Sequence, residues 1–338
     1  LPFKKSNASQ WILILFFWLC VLVVGFQVVF FETIATTTQT LALFRVVFAL
    51  PVLVISCCWI CDFNRLDTGV KFWKRVLPFF TKLFVLICVF EVVMLLFGLY
   101  DSYLRVINYH LFMESKGVSA GIGFGIFGSR VVTPLFNPSV GGVVLAAFFG
   151  WFIHQKNYFW AIACVFSLLF TVSKTGWIIA IVFVAFSFNP LFGFGLGIIA
   201  YILLSLLFLD IEQLRQLGLD GDIFRHLGSI ESHVNGLTSG IGYFFSPVGL
   251  GNAGTIPGGM LIDKLGRESG VGTGLASIGF GYLSLVLLAF YAICSRYQMV
   301  GALLASMYLF VALMNEGAAT YYIWLPIFVL YLSDYETE

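Results

Sequence analysis

Arg225, His226 and His233 occupy a polar stretch whose neighbours on both sides are apolar, and their types suit work on an anionic substrate. His226 and His233 are seven residues apart, two turns if helical, so Arg225 or His226 could share a face with His233. A guanidinium holds diphosphate oxygens bidentately and stays charged at every working pH. A neutral imidazole could take a proton from a hydroxyl. Downstream, Gly249, Gly251 and Gly254 follow Pro247 in a G-x-G-x-x-G string. No strand or βαβ unit surrounds it, so a dinucleotide site is excluded. A tight turn, or backbone N–H groups turned to an anion, remains. The stretch closes with Arg267 and Glu268 at the edge of the next apolar segment, where a carboxylate suits a helix N-terminus.

Two more constellations lie upstream. Arg130 precedes Asn137-Pro138 and Gly141-Gly142. Asparagine as N-cap with proline at the first helical position predicts a helix start there. Arg130 would then stand near a helix N-terminus that itself favours anions. Ser173-Lys174-Thr175-Gly176-Trp177 forms a short turn between two apolar segments, with Lys174 its only charge. The plain alternatives are snorkelling for Arg130, interfacial anchoring for Lys174 beside Trp177, and helix capping for Glu268. No His-x3-His or Glu-x-x-His spacing supports a metal site.

The elements that must hold these residues follow from composition. The chain has 338 residues, 60% hydrophobic, 18% aromatic and 10% charged, where a soluble domain has about 25% charged. It reads as an all-α polytopic membrane protein, one integral membrane domain over residues 1–338. Spans are expected near 11–33, 38–61, 78–100, 139–153, 158–172, 177–188, 191–208, 271–293, 298–314 and 320–333, about ten transmembrane helices. The outer connections are a first loop at 101–138, whose glycine-rich 117–128 is a re-entrant candidate, and a large loop at 209–270. A net charge of +1 offers no basic face for nucleic acid. The seven cysteines lie in or beside apolar spans and imply no disulfide framework; Cys58 and Cys61 read as buried packing residues.

Lysine and arginine collect in short loops on the cytoplasmic side. Arg65, Lys71, Lys74 and Arg75 set that side, and Lys4, Lys5, Lys156 and Arg296 fall with them. All three constellations then face outward, which in a Gram-negative cell is the periplasm. No nucleotide-activated sugar is at hand there, so a transferase needs a donor carried through the membrane already activated. A lipid-linked diphosphate meets that need. A transporter is the competing class, but its sites would sit at the midplane on broken helices, and no matching pair of interrupted spans is evident. Arg45, Lys82 and Glu91 are the charges deep in spans, and Arg45 could pair with Glu91 across helices.

In order and spacing, these motifs resemble the O-antigen polymerase and O-antigen ligase superfamily of bacterial envelope glycosyltransferases. The resemblance runs from Arg130 to Trp324 through Asn137-Pro138, Ser173–Trp177, Arg225, Pro247-x-Gly249-x-Gly251 and Glu268. Lys174 departs from it, since that turn often carries arginine, and lysine lacks the planar fork. The resemblance implies a lipid-donor, GT-C-like membrane fold that needs no cofactor or metal and inverts the anomeric carbon. The donor is an undecaprenyl-diphosphate-linked oligosaccharide; a chain-length regulator and a flippase are the expected partners. Arg130, Lys174, Arg225, Asn137, Gly249, Gly251 and Arg267 are expected to bind the diphosphate, with Glu268 or His233 as base and Arg225 beside them. A polymerase is the expected activity; a ligase acting on lipid A–core, and a flippase, are the alternatives.

Overall fold

The computed structural model describes residues 47–63, 69–110, 130–188, 195–197, 199, 235–249, 253, 269–314 and 318–335. Among them every regular element is helical and no strand occurs. In chain order the helices are α1 (Ala49–Phe63), α2 (Gly69–Leu96), α3 (Tyr100–Val106), α4 (Pro138–His154) and α5 (Tyr158–Thr171). After them come α6 (Lys174–Phe188), α7 (Gly270–Ile278), α8 (Phe280–Met314) and α9 (Tyr321–Tyr335). A further helical stretch covers 235–242. The chain divides into two compact units, Leu1–Arg65 with Pro190–Phe328, and Leu66–Asn189 with Val329–Glu338.

Among the described residues, two helices are long and apolar enough to cross a membrane: Arg75–Leu96, at mean hydropathy 2.4, and Phe280–Met314, at 1.7. Pro138–His154, Tyr158–Thr171, Thr175–Phe186 and Tyr321–Ser333 are apolar but shorter. The expected span at 11–33 lies outside the described residues, as does 191–208 apart from 195–197 and 199, and α1 covers the later part of 38–61.

The unit from Leu66 to Asn189 is built around α4. That helix is apolar on every side and buried along nearly its whole length, as a central helix must be. Gly150 leaves no room for a Cβ beside the Phe183 ring of α6, so that ring packs directly against the α4 backbone. The Tyr331 hydroxyl of the same unit donates to the Ala147 carbonyl at 2.8 Å. Helices α4 and α5 run antiparallel, joined through Gln155, Lys156 and Asn157. One face of α2 exposes Phe79, Leu83, Leu86, Phe90, Val93 and Leu96, whereas Val85, Cys88 and Val92 are buried. That stripe is about 26 Å long at 1.5 Å per residue, close to the roughly 30 Å of a bilayer's hydrocarbon. Phe159, Ile162, Phe166 and Leu169 form a similar stripe on α5. Contiguous apolar faces of this size are rare on soluble monomers.

In the other unit the expected span 271–293 is broken. Helix α7 ends at Ile278, and Gly279, at φ +55°, separates it from α8. The expected boundary between 293 and 298 is present. Gln298 takes φ 48° and ψ −121°, outside helical geometry. A Cβ on Gly301 would stand 2.5 Å from the Ile293 carbonyl oxygen. Eight residues along a straight helix would separate those positions by about 12 Å, so the chain turns sharply at Gln298. The Tyr308 hydroxyl and the Trp324 indole each donate at 2.9 Å to Ala319 and Ala318, tying α8 to the start of α9.

Candidate functional site

Helix α4 begins as its sequence predicts. Asn137 is the N-cap, in extended conformation, and its Oδ1 accepts from the Ser139 and Val140 N–H groups at 3.0 and 3.2 Å. Pro138 follows at the first helical position, where its missing N–H has no consequence.

The segment ahead of Asn137 lies along the end of α5. Val131 N–H donates to the Phe170 carbonyl at 3.0 Å, and Arg130 Nε donates to the Thr171 carbonyl at 3.0 Å. Arg130 Nη2 reaches the Val172 carbonyl at 3.5 Å. Three successive carbonyls at the α5 C-terminus, groups a helix cannot satisfy from within, therefore find partners in two residues. The guanidinium has five N–H donors, so two such bonds leave others for a ligand. Burial pulls the Arg130 pKa below its usual value, and Tyr109 beside it acts the other way. Arg130 stays charged regardless. Its partners among the described residues are carbonyls and Tyr109; no carboxylate is among them.

Helix α6 starts in the same place. Ser173 Oγ accepts from the Gly176 N–H at 3.1 Å and donates to the Ser139 carbonyl at 3.1 Å. One hydroxyl thus caps α6 and fastens it to the first turn of α4. Gly142 faces Ser173 with no space for a Cβ, and a Cβ on Gly176 would lie 2.7 Å from the Gly142 carbonyl carbon. Glycine at both positions permits this approach. Two constellations that are separate in sequence, Arg130–Gly142 and Ser173–Trp177, are brought together here. Lys174 opens the first turn of α6. Two helix N-termini meet here beside a guanidinium that itself covers the carbonyl end of α5.

Glu91 is part of this construction, which its place in an apolar helix does not reveal. It is completely buried. Its Oε1 accepts from the Tyr103 hydroxyl at 2.9 Å, and its Oε2 accepts from the Thr133 N–H at 2.9 Å. The neighbouring Val132 N–H donates to the Tyr100 hydroxyl at 2.7 Å. Burial raises the Tyr103 pKa, so that phenol remains protonated. Glu91 therefore holds a loop through α3 and the backbone; its expected partner Arg45 lies outside the described residues. Val92, Tyr100, Leu104, Tyr109, Val131 and Phe170 pack as the apolar floor beneath that loop.

The backbone here is strained. Among the described residues, six non-glycine residues have positive φ, and Thr133 (63°), Phe136 (52°) and Val172 (51°) belong to this locale. Two of these are β-branched, for which the left-handed region is a true outlier. Such strain persists only where surrounding contacts enforce it, and it gathers at functional sites.

Gly249 lies in the other unit and has a different role. It takes φ +93°, as a tight turn requires. Its N–H donates to the Ser277 carbonyl at 3.1 Å, and Val248 N–H donates to Ala276 at 2.9 Å. That amide is used in the fold rather than offered to an anion. Ser269 caps α7, accepting from Gly272 N–H at 3.1 Å. Arg225, His226, His233, Gly251, Arg267 and Glu268 lie outside the described residues, as does 117–128. Among the described residues no group of three or more His, Cys, Asp or Glu could hold a metal. Comparison with family models, with curated proteins and with solved structures finds no match for this chain.

Proposed function

We propose that the chain is a membrane-embedded glycosyltransferase that joins undecaprenyl-diphosphate-linked oligosaccharide repeat units at the periplasmic face of a bacterial inner membrane. It is a surface polysaccharide polymerase of the O-antigen type, inverting and independent of metal. One observation carries this reading: Arg130, half-buried and without a carboxylate among its described partners, stands where α4 and α6 both begin. A desolvated cation beside two helix N-termini suits a diphosphate that gains charge as its bond to sugar breaks.

In the proposed step an acceptor hydroxyl oxygen attacks the anomeric carbon on the face opposite the diphosphate. The C–O bond to the diphosphate breaks, and its electron pair leaves with the phosphate. Glu268 or His233 takes the hydroxyl proton. Arg130 and Lys174 neutralise the leaving group; the same role for Arg225 and Arg267 of the large loop rests on the sequence alone. No part of this chemistry calls for a metal.

The test is purified protein with an undecaprenyl-diphosphate-linked repeat unit as its only substrate. A ladder of longer lipid-linked glycans is expected. Transfer only after lipid A–core is added would make the protein a ligase instead. A specific observation favours a second reading, a transporter of the same lipid-linked sugars: the apolar stretch 271–293 is broken at Gly279, as discontinuous transporter helices are. Glycan transfer in proteoliposomes given donor only in the outer leaflet would remove that reading; silence in both transfer assays would bring it forward.

A further inference from the structure

We propose that Glu91 is a positioning residue, resting on the reading above: it fixes the Arg130 loop so that the guanidinium stands in register with the starts of α4 and α6. The chain of contacts is continuous. Glu91 sits on α2, five residues before the helix ends at Leu96. One carboxyl oxygen holds Tyr103 of α3, and the other holds the backbone of Thr133. Tyr100 of α3 holds Val132, the residue before it. Val131 and Arg130 then pair with successive carbonyls at the end of α5. On the far side, the Thr133 side chain fills the space that a Cβ on Gly141 would need, so the loop is wedged against the first turns of α4. From Arg130 to Thr133, each residue is held by a partner from α2, α3 or α5.

The positive φ of Thr133 shows why an anchor is required. A β-branched residue left to itself avoids that region. A hydrogen bond from its own N–H to a fully buried carboxyl group holds it there. Among the described residues the Thr133 hydroxyl has no hydrogen-bond partner, so the backbone contact does the holding. Among the described hydrogen bonds those of Glu91 go to Tyr103 and Thr133 and those of the Arg130 side chain to Thr171 and Val172, so Glu91 acts through the loop. Its function requires two hydrogen-bond acceptors or their equivalent, whereas an acid that carried protons for transport would require the titrating carboxyl group.

Glutamine separates these requirements. In Glu91→Gln, Oε1 can accept from Thr133 N–H while Nε2 donates to the Tyr103 hydroxyl, so both contacts survive without the acid. Alanine removes both. The first readout is amide hydrogen exchange over residues 131–136 in the full-length protein in nanodiscs, with α4 and α5 as internal controls for folding. Loss of a bond to a buried acceptor predicts roughly tenfold to hundredfold faster exchange there in Glu91→Ala. In Glu91→Gln, exchange within about threefold of wild type is expected.

The second readout is binding of undecaprenyl diphosphate, the proposed leaving group. Glu91→Ala and Arg130→Gln should each weaken it, and the double variant should be no weaker than Arg130→Gln alone, because one acts through the other. Additive losses, Glu91→Gln as impaired as Glu91→Ala, or unchanged exchange over 131–136 in Glu91→Ala would each overturn the positioning role. Failure of the wild-type protein to bind undecaprenyl diphosphate would instead overturn the proposed function. In that case the exchange measurement alone decides whether Glu91 anchors the loop.

Discussion

The ends of α5 and α7 present the same problem and receive different solutions. Each helix finishes with carbonyls that no intrahelical donor can reach. At α7, two consecutive backbone amides, Val248 and Gly249, donate to Ala276 and Ser277, and Gly279 leads the chain away. At α5, one amide from Val131 is joined by the Arg130 guanidinium, and the chain leaves through Val172 in a left-handed conformation. The α7 solution is neutral, uses glycine wherever φ is positive and leaves its donors occupied. The α5 solution places a desolvated cation where an amide would serve and puts valine where glycine would be easier. Capping therefore accounts for α7 in full and for α5 only in part. The unexplained remainder is a positive charge with donors to spare, and that remainder is what an anionic ligand would use.

The largest expected effect comes from removing that charge. Arg130→Gln keeps an amide that can donate toward the α5 carbonyls and loses the cation. Binding of undecaprenyl diphosphate should weaken by about 10- to 100-fold, the range of a charge-assisted hydrogen bond. Thermal unfolding in detergent should shift by no more than the loss of one capping bond, about 1 kcal/mol. Unchanged lipid binding with a large loss of stability would make Arg130 a cap and nothing more, and the contrast between the two helix ends would disappear.

A smaller effect, of the opposite kind, is expected at Gly249. Gly249→Ala puts a Cβ on a residue at φ +93°, at a cost of roughly 1–2 kcal/mol. The unfolding midpoint should fall while undecaprenyl diphosphate affinity stays within about twofold of wild type, since its amide is already committed to Ser277. A fall in affinity without a fall in stability would show that this turn handles the ligand after all, as its glycine pattern first suggested.

These two sites also show what the sequence conveys. Asn137-Pro138 could be read directly because capping is local: the side chain and the amides it satisfies lie within three residues. The reversal at Gln298 falls where a polar residue follows Arg296 in an apolar run. The turn at Gly249 was legible from its glycines, yet its partners on α7 were not, because Ala276 and Ser277 contribute only carbonyls. Glu91 stood out as a lone acid in an apolar helix, and a cation is the natural partner to seek. Its partners are a phenol on α3 and the N–H of Thr133, 42 residues away, and a backbone amide has no identity in a sequence. The break at Gly279 failed for a related reason. Gly142 and Gly150 permit close packing inside a continuous helix, whereas Gly279 ends one, and the difference lies in the carbonyls that Val248 and Gly249 capture.

The smallest expected effect is none, and it bears on why the cation is there. Diphosphate leaving groups are commonly neutralised by a divalent ion held by carboxylates. At the α5 end, the described groups that could meet an anion are a guanidinium and two helix N-termini, all donors. A metal held there would need oxygen or nitrogen acceptors; among the described residues the Phe170, Thr171 and Val172 carbonyls are taken by Val131 and Arg130, and Glu91 has both oxygens engaged by Tyr103 and Thr133. Glycan transfer should therefore proceed unchanged in excess EDTA, with added Mg²⁺ or Mn²⁺ altering the rate by less than about twofold. Loss of transfer on chelation, restored by one of those ions, would mean that the charge is neutralised elsewhere. Arg130 would then return to the same standing as Val248 and Gly249, a partner for the end of a helix.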